Sequence, residues 1–419
     1  MLIGAISDDL TGGTDLALMF KRAGMSVSQV IGVPEDLSAI AGADAVVISL
    51  KSRTSPVAEA VEQSLAASRA LRDAGAKQIY FKYCSTFDST DRGNIGPVAD
   101  ALLAETNAPW TIVCPAFPGA GRTIYNGHLF VGRQLLSDSP MRNHPLTPMR
   151  DANLVRVLEP QSANSVGLVP YATIEQGAEA VREALEAEAD AGRKLIVVDA
   201  VSDAQLMTIG AALKDAPLVT GGSGIALGLP ANFGISPQPG TDDEPFPAPE
   251  GRKLVLAGSC SEATRDQIAM AERAGLPCLK LEPFEIASGR QTAAGVLQWL
   301  REQSESAAAL IFASASPEKV AAVQKELGTE NAGNMIERLF GKIALGALQA
   351  GVTRLIVAGG ETSGAVVNAL GVKALQIGPE IAPGVPWTRV VSGPDIVLAL
   401  KSGNFGQEDF FLRAWDLLQ

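Results

Sequence analysis

The stretch Leu2-Ile3-Gly4-Ala5-Ile6-Ser7-Asp8-Asp9-Leu10-Thr11-Gly12-Gly13-Thr14-Asp15 decides how the fold reads. An apolar run, residues 2–6, meets two carboxylates and a pair of glycines, and a helix-like segment follows over 14–23. The same alternation recurs outward along the chain. Residues 45–50, 78–82, 111–114, 195–199 and 217–220 read as strands, with alanine-rich helices at 57–74 and 96–105. Strands separated by helical spans of this length imply βαβ crossovers and mainly parallel sheets. One composition break interrupts the pattern: residues 230–252 hold six prolines and three glycines. Proline fixes φ and removes a backbone donor, so this segment reads as a linker rather than a helix or central strand. The alternation then restarts, with strands at 253–257, 309–313 and 354–358 and helices at 262–274 and 331–350. The expected fold is α/β with two domains, 1–229 and 253–419, each a mainly parallel sheet flanked by helices.

The chain has 419 residues, 47% hydrophobic and 19% charged, and can bury a sizeable core, which excludes disorder, collagen and coiled coil. Lys and Arg total 34 against 46 Asp and Glu, a net charge of -12. An acidic chain without a basic cluster argues against nucleic acid as a partner, whereas a small anion needs only a few local cations. The four cysteines, Cys84, Cys114, Cys260 and Cys278, lack zinc-site spacing and read as reduced thiols of a cytosolic protein. The N-terminus has no basic flank and meets Asp8 and Asp9 too early for a signal peptide. No run reaches the roughly 18 apolar residues of a membrane helix. A soluble cytoplasmic protein without a membrane partner is expected.

In open parallel sheets, ligands bind beyond the carboxyl ends of the strands, where loops meet helix N-termini. The first such loop carries Asp8 and Asp9. Together they can orient a hydroxyl, accept its proton or help hold a metal, whereas ordinary N-capping would need only one of them. Gly12 and Gly13 are expected to permit a tight turn into the helix. The second loop, Lys51-Ser52-Arg53, supplies two cations. The third offers Lys82, Ser85, Asp88 and Arg92 ahead of a helix, a set suited to a polyhydroxylated acid. In the fourth, Cys114-Pro115-Ala116-Phe117-Pro118-Gly119-Ala120-Gly121-Arg122, glycine-rich backbone suggests an anion held by amides and the Arg122 guanidinium. His128 and His144 follow; two histidines do not make a His metal centre, and a lone His is more often structural. The loop Thr220-Gly221-Gly222-Ser223-Gly224 lacks G-x-G-x-x-G spacing and the acid expected about 20 residues later, which argues against NAD.

In the second domain, Gly258-Ser259-Cys260-Ser261 and Gly359-Gly360-Glu361-Thr362-Ser363-Gly364 each follow a strand and open a helix. Small residues there let amides approach a phosphate at the positive end of the helix. Ser392-Gly393-Pro394-Asp395 and Lys401-Ser402-Gly403-Asn404-Phe405-Gly406 complete a glycine-rich C-terminal region. No G-x-x-x-x-G-K-[ST] motif occurs, so a P-loop NTPase is excluded while a nucleotide site is favoured.

Taken together, Ser7-Asp8-Asp9-Leu10-Thr11-Gly12, the segment 82–91, Cys114-Pro115-Ala116-Phe117-Pro118, Thr220-Gly221-Gly222-Ser223-Gly224 and Gly359-Gly360-Glu361-Thr362-Ser363-Gly364 resemble the four-carbon acid sugar kinase family. The match runs in order over essentially the whole chain. The resemblance implies an N-terminal sugar-acid-binding domain, a C-terminal nucleotide-binding domain and an active site in the cleft between them. It also implies transfer of the ATP γ-phosphoryl group to the terminal hydroxyl of a tetronate. The stretch Met141-Arg142-Asn143-His144-Pro145-Leu146-Thr147-Pro148-Met149, followed by Asn153-Leu154-Val155, is similar to the branch acting on 3-oxo-tetronate. Threonate and erythronate kinases are the nearby alternatives. By the same resemblance, ATP contacts fall on Ser259, on Gly359, Gly360, Glu361, Thr362, Ser363 and Gly364, and on Gly403.

Phosphoryl transfer asks for in-line positioning and neutralised phosphate charge, with Mg2+ bridging the phosphates. Asp8 or Asp9 would orient the C4 hydroxyl and accept its proton, and the sequence leaves open which. Lys51, Arg53, Lys82 and Arg122 are candidates for the substrate carboxylate, with Thr11, Gly12, Ser85, Asp88 and Arg92 nearby. Ligands for Mg2+ stay unassigned, and a homodimer is one open oligomeric state. A non-catalytic sugar-acid-binding protein and an oxidoreductase on the same architecture are the competing readings. The intact acid pair counts against the first and the missing dinucleotide fingerprint against the second.

Overall fold

Short runs of Ile, Val and Ala, each ended by a polar or glycine-bearing loop, form the strands of the computed structural model. The chain divides into two units, Met1–Gln238 and Pro239–Gln419. The structure describes all residues except 38, 39, 41, 145, 238–245, 316–322, 324, 327, 392 and 419. Pro145, Ser392 and residues 238–245 of the expected linker therefore lie outside the described residues.

The first unit contains β1 (Ile3–Ser7), β2 (Val27–Ile31), β3 (Ala45–Ser49), β4 (Gln78–Lys82), β5 (Thr111–Cys114), β6 (Arg122–Tyr125), β7 (His128–Val131), β8 (Gln134–Leu135), β9 (Ser165–Val169), β10 (Arg193–Val198) and β11 (Leu218–Gly221). Eight of them form a sheet in the order β2-β3-β1-β4-β11-β5-β10-β9, every pair parallel. The strands β6, β7 and β8 make a separate antiparallel sheet. Its turn is anchored by the fully buried Asp199, which accepts from the amides of Gly127 and Tyr171, each at 2.8 Å.

Helices α1 (Leu10–Arg22), α2 (Val57–Asp73) and α3 (Ile95–Thr106) connect the early strands. Gly4 lies against Leu71 of α2, whereas Gly13 of α1 lies against Ser49. Side chains alternate along a strand, and Gly4 pairs with Val46, three residues from Ser49, so the two helices cover opposite faces. Coverage on both sides explains why β1, β3 and β4 are buried at every residue.

Strand register aligns Ser7 with both Ser49 and Lys82, and Gly221 with Lys82 and Cys114. The carboxyl ends of five strands therefore open onto one edge. The strands β2 and β3 lie on one side of β1 and the later strands on the other, so the order of winding switches between β1 and β4, the point at which open α/β sheets form their crevice.

The second unit contains β12 (Arg252–Ala257), β13 (Cys278–Lys280), β14 (Ala308–Phe312), β15 (Val352–Ala358), β16 (Ala374–Ala382), β17 (Val385–Val390) and β18 (Val397–Lys401), in the order β13-β14-β12-β15-β18-β17-β16. The first five in that order pair in parallel, and β17 pairs antiparallel with β18 and β16. Here α4 (Glu262–Arg273) follows β12 and α5 (Gly360–Ala369) follows β15.

The proline-rich segment is packed at both described ends. Pro230 is buried in a 3-10 turn, and the side chain of Asn232 donates to Gly210 O at 2.8 Å. Phe246 joins the core of the second unit with Trp387 and Trp415.

Candidate active site

Asp8 and Asp9 follow β1 directly, and each is held differently. Asp9 is the N-cap of α1: its Oδ1 accepts from the Gly12 amide at 3.0 Å and its Oδ2 from the Thr11 hydroxyl at 2.8 Å. Asp8 is gripped by Arg53, with Nε to Oδ2 at 2.8 Å and Nη2 to Oδ1 at 2.7 Å. The same Nη2 also reaches Asp9 Oδ1 at 2.7 Å, and Nη1 lies 3.8 Å from Asp88 Oδ2. One guanidinium thus serves three carboxylates, and the capping role that needs one acid leaves the other over. The backbone fixes this arrangement, since Ser52 N and Arg53 N both donate to Asp8 O, while Asp8 N donates to Lys82 O.

The two acids differ electrostatically. Burial raises the Asp8 carboxyl above its ordinary value, against the pull of Arg53. Burial also opposes charge on Asp9, but Arg53, Lys82 and the bonds from Thr11 and Gly12 outweigh it and hold this carboxyl low. A pair of carboxyls pushed apart in this way is the pattern expected where one group must exchange a proton.

Gly12 and Gly13 sit inside α1 without positive φ, so the expected tight turn is not what they provide. A Cβ on Gly12 would overlap Asp9 Oδ1 and Lys82 Nζ, and one on Gly13 would overlap Ser49 Oγ. Their smallness lets the Lys82 ammonium lie at the helix start and lets the helix approach β3. Lys82 and Thr11 are buried beside the acid pair, and Ser85 is buried in the loop that follows β4. Phe87 and Asp88 have φ of 65° and 50°, left-handed values that are strained for such residues and cluster at functional sites. A small cavity of about 10 Å³, room for about one water, is bounded by Asp8, Arg53, Asp88 and Asn94.

Other expected residues are placed differently. Lys51 and Arg92 are exposed. The glycine-rich amides before Arg122 are spent on their own turn: Ala120, Gly121 and Arg122 N donate to Phe117 or Pro118 carbonyls, and Arg122 Nη1 donates to Ala120 O. That loop therefore does not present the row of amides expected for an anion. Gly221, Gly222 and Gly224 instead allow close contact with the carbonyls of Cys114, Pro115 and Ala116, which locks two of the sequence motifs together.

The sequence leaves Asn94 without a role and reads His144 as either a substrate contact or a structural residue. Asn94 Nδ2 donates to the carbonyls of Ser52, Arg53 and Ser55, pinning the Arg53 loop to the start of α3. His144 lies within electrostatic reach of Asp88 and Arg53, and burial pushes its imidazole down. Burial also pushes the thiols of Cys84 and Cys114 up to about 12, which leaves them protonated and inert.

In the second unit, Ala257, Ala358 and Lys401 share one register, so the loops that follow them meet. Ser261 is the N-cap of α4, and both its hydroxyl and that of Thr264 donate to Gly403 O, at 2.6 and 2.9 Å. A Cβ on Gly403 would overlap Ser259 Oγ, and one on Gly359, whose φ is 122°, would lie 3.1 Å from Ser259 N. Gly360, Glu361, Thr362, Ser363 and Gly364 form the first turns of α5. Among the described residues, nothing outside its own helix lies within 4 Å of where a Cβ on Gly364 would be, so packing of those residues does not call for glycine there. Closely joined small-residue loops, two helix N-termini and an open glycine together fit a phosphate-bearing ligand.

Each of the two units matches a known domain. A sugar-binding N-terminal domain model matches residues 3–229, and a nucleotide-binding C-terminal domain model matches residues 254–411. A 3-oxo-tetronate kinase from Cupriavidus necator is 53% identical over 418 residues, 99% of this chain and 96% of that protein. The chain belongs to the four-carbon acid sugar kinase family. Within that family, a 3-oxo-tetronate kinase from Burkholderia multivorans is 53% identical over 99% of this chain and 97% of its own length. A crystal structure from Salmonella typhimurium LT2, provisionally described as a tRNA synthase, superposes with a TM-score of 0.86 at 43% identity, covering 100% of this chain and 99% of that one. Among the described residues, no helix is long and apolar enough to cross a membrane.

Proposed function

We propose that the chain is an ATP-dependent kinase that phosphorylates the C4 hydroxyl of 3-oxo-tetronate, giving 3-oxo-tetronate 4-phosphate in cytoplasmic four-carbon acid sugar catabolism. The observation that carries this reading is kinship over 99% of the chain with 3-oxo-tetronate kinases. The acid pair and the joined glycine loops supply what the chemistry asks for. D-Threonate and D-erythronate are the competing substrates.

In this reading the C4 oxygen attacks the γ-phosphorus, its proton passes to Asp8 or Asp9, and the bond to the bridging oxygen breaks to release ADP. Arg53 is occupied by Asp8, so its part is to aim the acids. Lys82 and Arg122 then become the stronger candidates for the substrate carboxylate, with Thr11, Gly12, Ser85 and Asp88 lining the site. Lys51 and Arg92, both exposed, would attract the incoming anion. Ser259, the residues 359–364 and Gly403 would hold the nucleotide.

Mg2+, when bound with the nucleotide, would supply positive charge against the phosphates. The described residues contain no group of three or more His, Cys, Asp or Glu placed to hold a metal. Phosphorus NMR of the product tests the proposal. One phosphate ester at C4 per ADP formed is expected, and ATP hydrolysis without an ester would contradict it.

A further inference from the structure

Lys401 is fully buried at the end of β18, and among the described residues no carboxylate forms an ion pair with it, an arrangement lysine rarely adopts. Its Nζ lies within hydrogen-bond reach of four oxygens: Gly403 O and Phe405 O at 3.0 Å, Ser402 O at 3.1 Å and Thr264 Oγ1 at 3.2 Å. Three of these are successive or near-successive backbone carbonyls of the one loop that follows β18. Its own carbonyl receives the Gly359 amide at 2.8 Å, so the residue touches the β15 loop as well.

In a trans peptide the C=O and the next N–H point in opposite directions. Drawing the carbonyls of Ser402, Gly403 and Phe405 in toward Nζ therefore turns the amides of Gly403, Asn404 and Gly406 away from it. Amides turned to the far side of the loop are donors placed for an anion that approaches from that side. Gly403 O is further held by Ser261 and Thr264, which tie this loop to the N-terminus of α4 beside Ser259.

We propose that Lys401 is a positioning residue for the nucleotide, shaping the 402–406 loop from beneath so that its amides face the phosphates. The inference rests on the nucleotide-binding reading of this unit. No step of the chemistry passes through the Lys401 amine. Its contribution is to binding, so it belongs to the KM for ATP rather than to that for the sugar acid.

Steady-state kinetics of Lys401→Met, with calorimetric ATP titration of the same protein, provide the test. Methionine keeps the length and removes the donors. A KM and Kd for ATP raised tenfold or more, with the KM for the sugar acid within twofold of wild type, is expected. A folded variant with native ATP affinity overturns the inference, and so does a parallel rise in both KM values, which would mark general loosening. Thr264→Val removes the hydroxyl shared by Lys401 and Gly403 without burying a new gap. It should raise the KM for ATP alone, and if Lys401→Met does not fold, an unchanged KM in Thr264→Val overturns the inference by itself. Wild-type protein that binds no ATP would instead overturn the nucleotide reading, and this inference with it.

Discussion

Arg53 and Asp8 face each other across 45 residues of chain and are joined by two parallel hydrogen bonds of 2.8 and 2.7 Å. A fork of this kind fixes direction as well as distance. Asp8 is buried and Arg53 largely covers it, so Asp8 has little access to water if the guanidinium goes. Arg53→Met should lower the unfolding free energy by about 3–5 kcal/mol, measured by urea denaturation. Arg53→Lys keeps the charge but loses the fork; it should fold and lose at least about tenfold in kcat. A lysine variant with native kcat would show that the fork does not aim the acids.

The acid pair separates capping from chemistry. Asn is as good an N-cap as Asp, so Asp9→Asn should stay within about 1 kcal/mol of wild type in stability. Removing a general base typically costs about 10²–10⁴ in rate. At least one of Asp8→Asn and Asp9→Asn should show that loss in kcat while remaining folded. Near-native kcat in both would remove the pair from the mechanism.

Gly364 poses a choice between stability and binding. Among the described residues, alanine at this helical position meets nothing outside its own helix and should stabilise by about 0.5–1 kcal/mol. If the nucleotide approaches here, the same methyl should raise the KM for ATP. A thermal melt and ATP kinetics on Gly364→Ala give both numbers. Higher Tm with an unchanged KM would place the ligand elsewhere.

Burial pushes the Lys401 ammonium from 10.5 down to about 7. Between those two values the unfolded chain holds a proton that the folded chain has released. Stability then rises with pH across that window, by up to about 1.4 kcal/mol per unit. Below about pH 7 both states are protonated and the cost of the buried charge is fully present. Wild type should therefore gain on Lys401→Met from pH 7 to pH 10 in denaturant titrations. A constant difference between the two would show that Lys401 does not titrate in that range.

Much of the fold could be read from the chain because parallel strands buried on both faces are continuous apolar runs, as in 45–49 and 78–82. The antiparallel β16 and β17 were passed over, since Gly378, Pro379, Pro383 and Pro386 break up their pattern. In the site, Asp8 and Asp9 stood out by adjacency alone. The work of Gly12 depends on Lys82, seventy residues further along the chain, and that of Asn94 on three carbonyls of another loop. Lys401 reads in sequence only as the first residue of a glycine-rich stretch, because only the folded loop reveals its four oxygen partners. Residues whose role is a contact made by the backbone of a distant segment leave no local signal.

The most direct measurement is ADP release with ATP and Mg2+ against a panel of both 3-oxo-tetronate enantiomers, D-threonate, L-threonate and D-erythronate. Turnover confined to a 3-oxo acid is the predicted result. Turnover only on acids lacking the ketone would contradict the substrate, and silence on every acid from folded, ATP-binding protein would contradict the kinase.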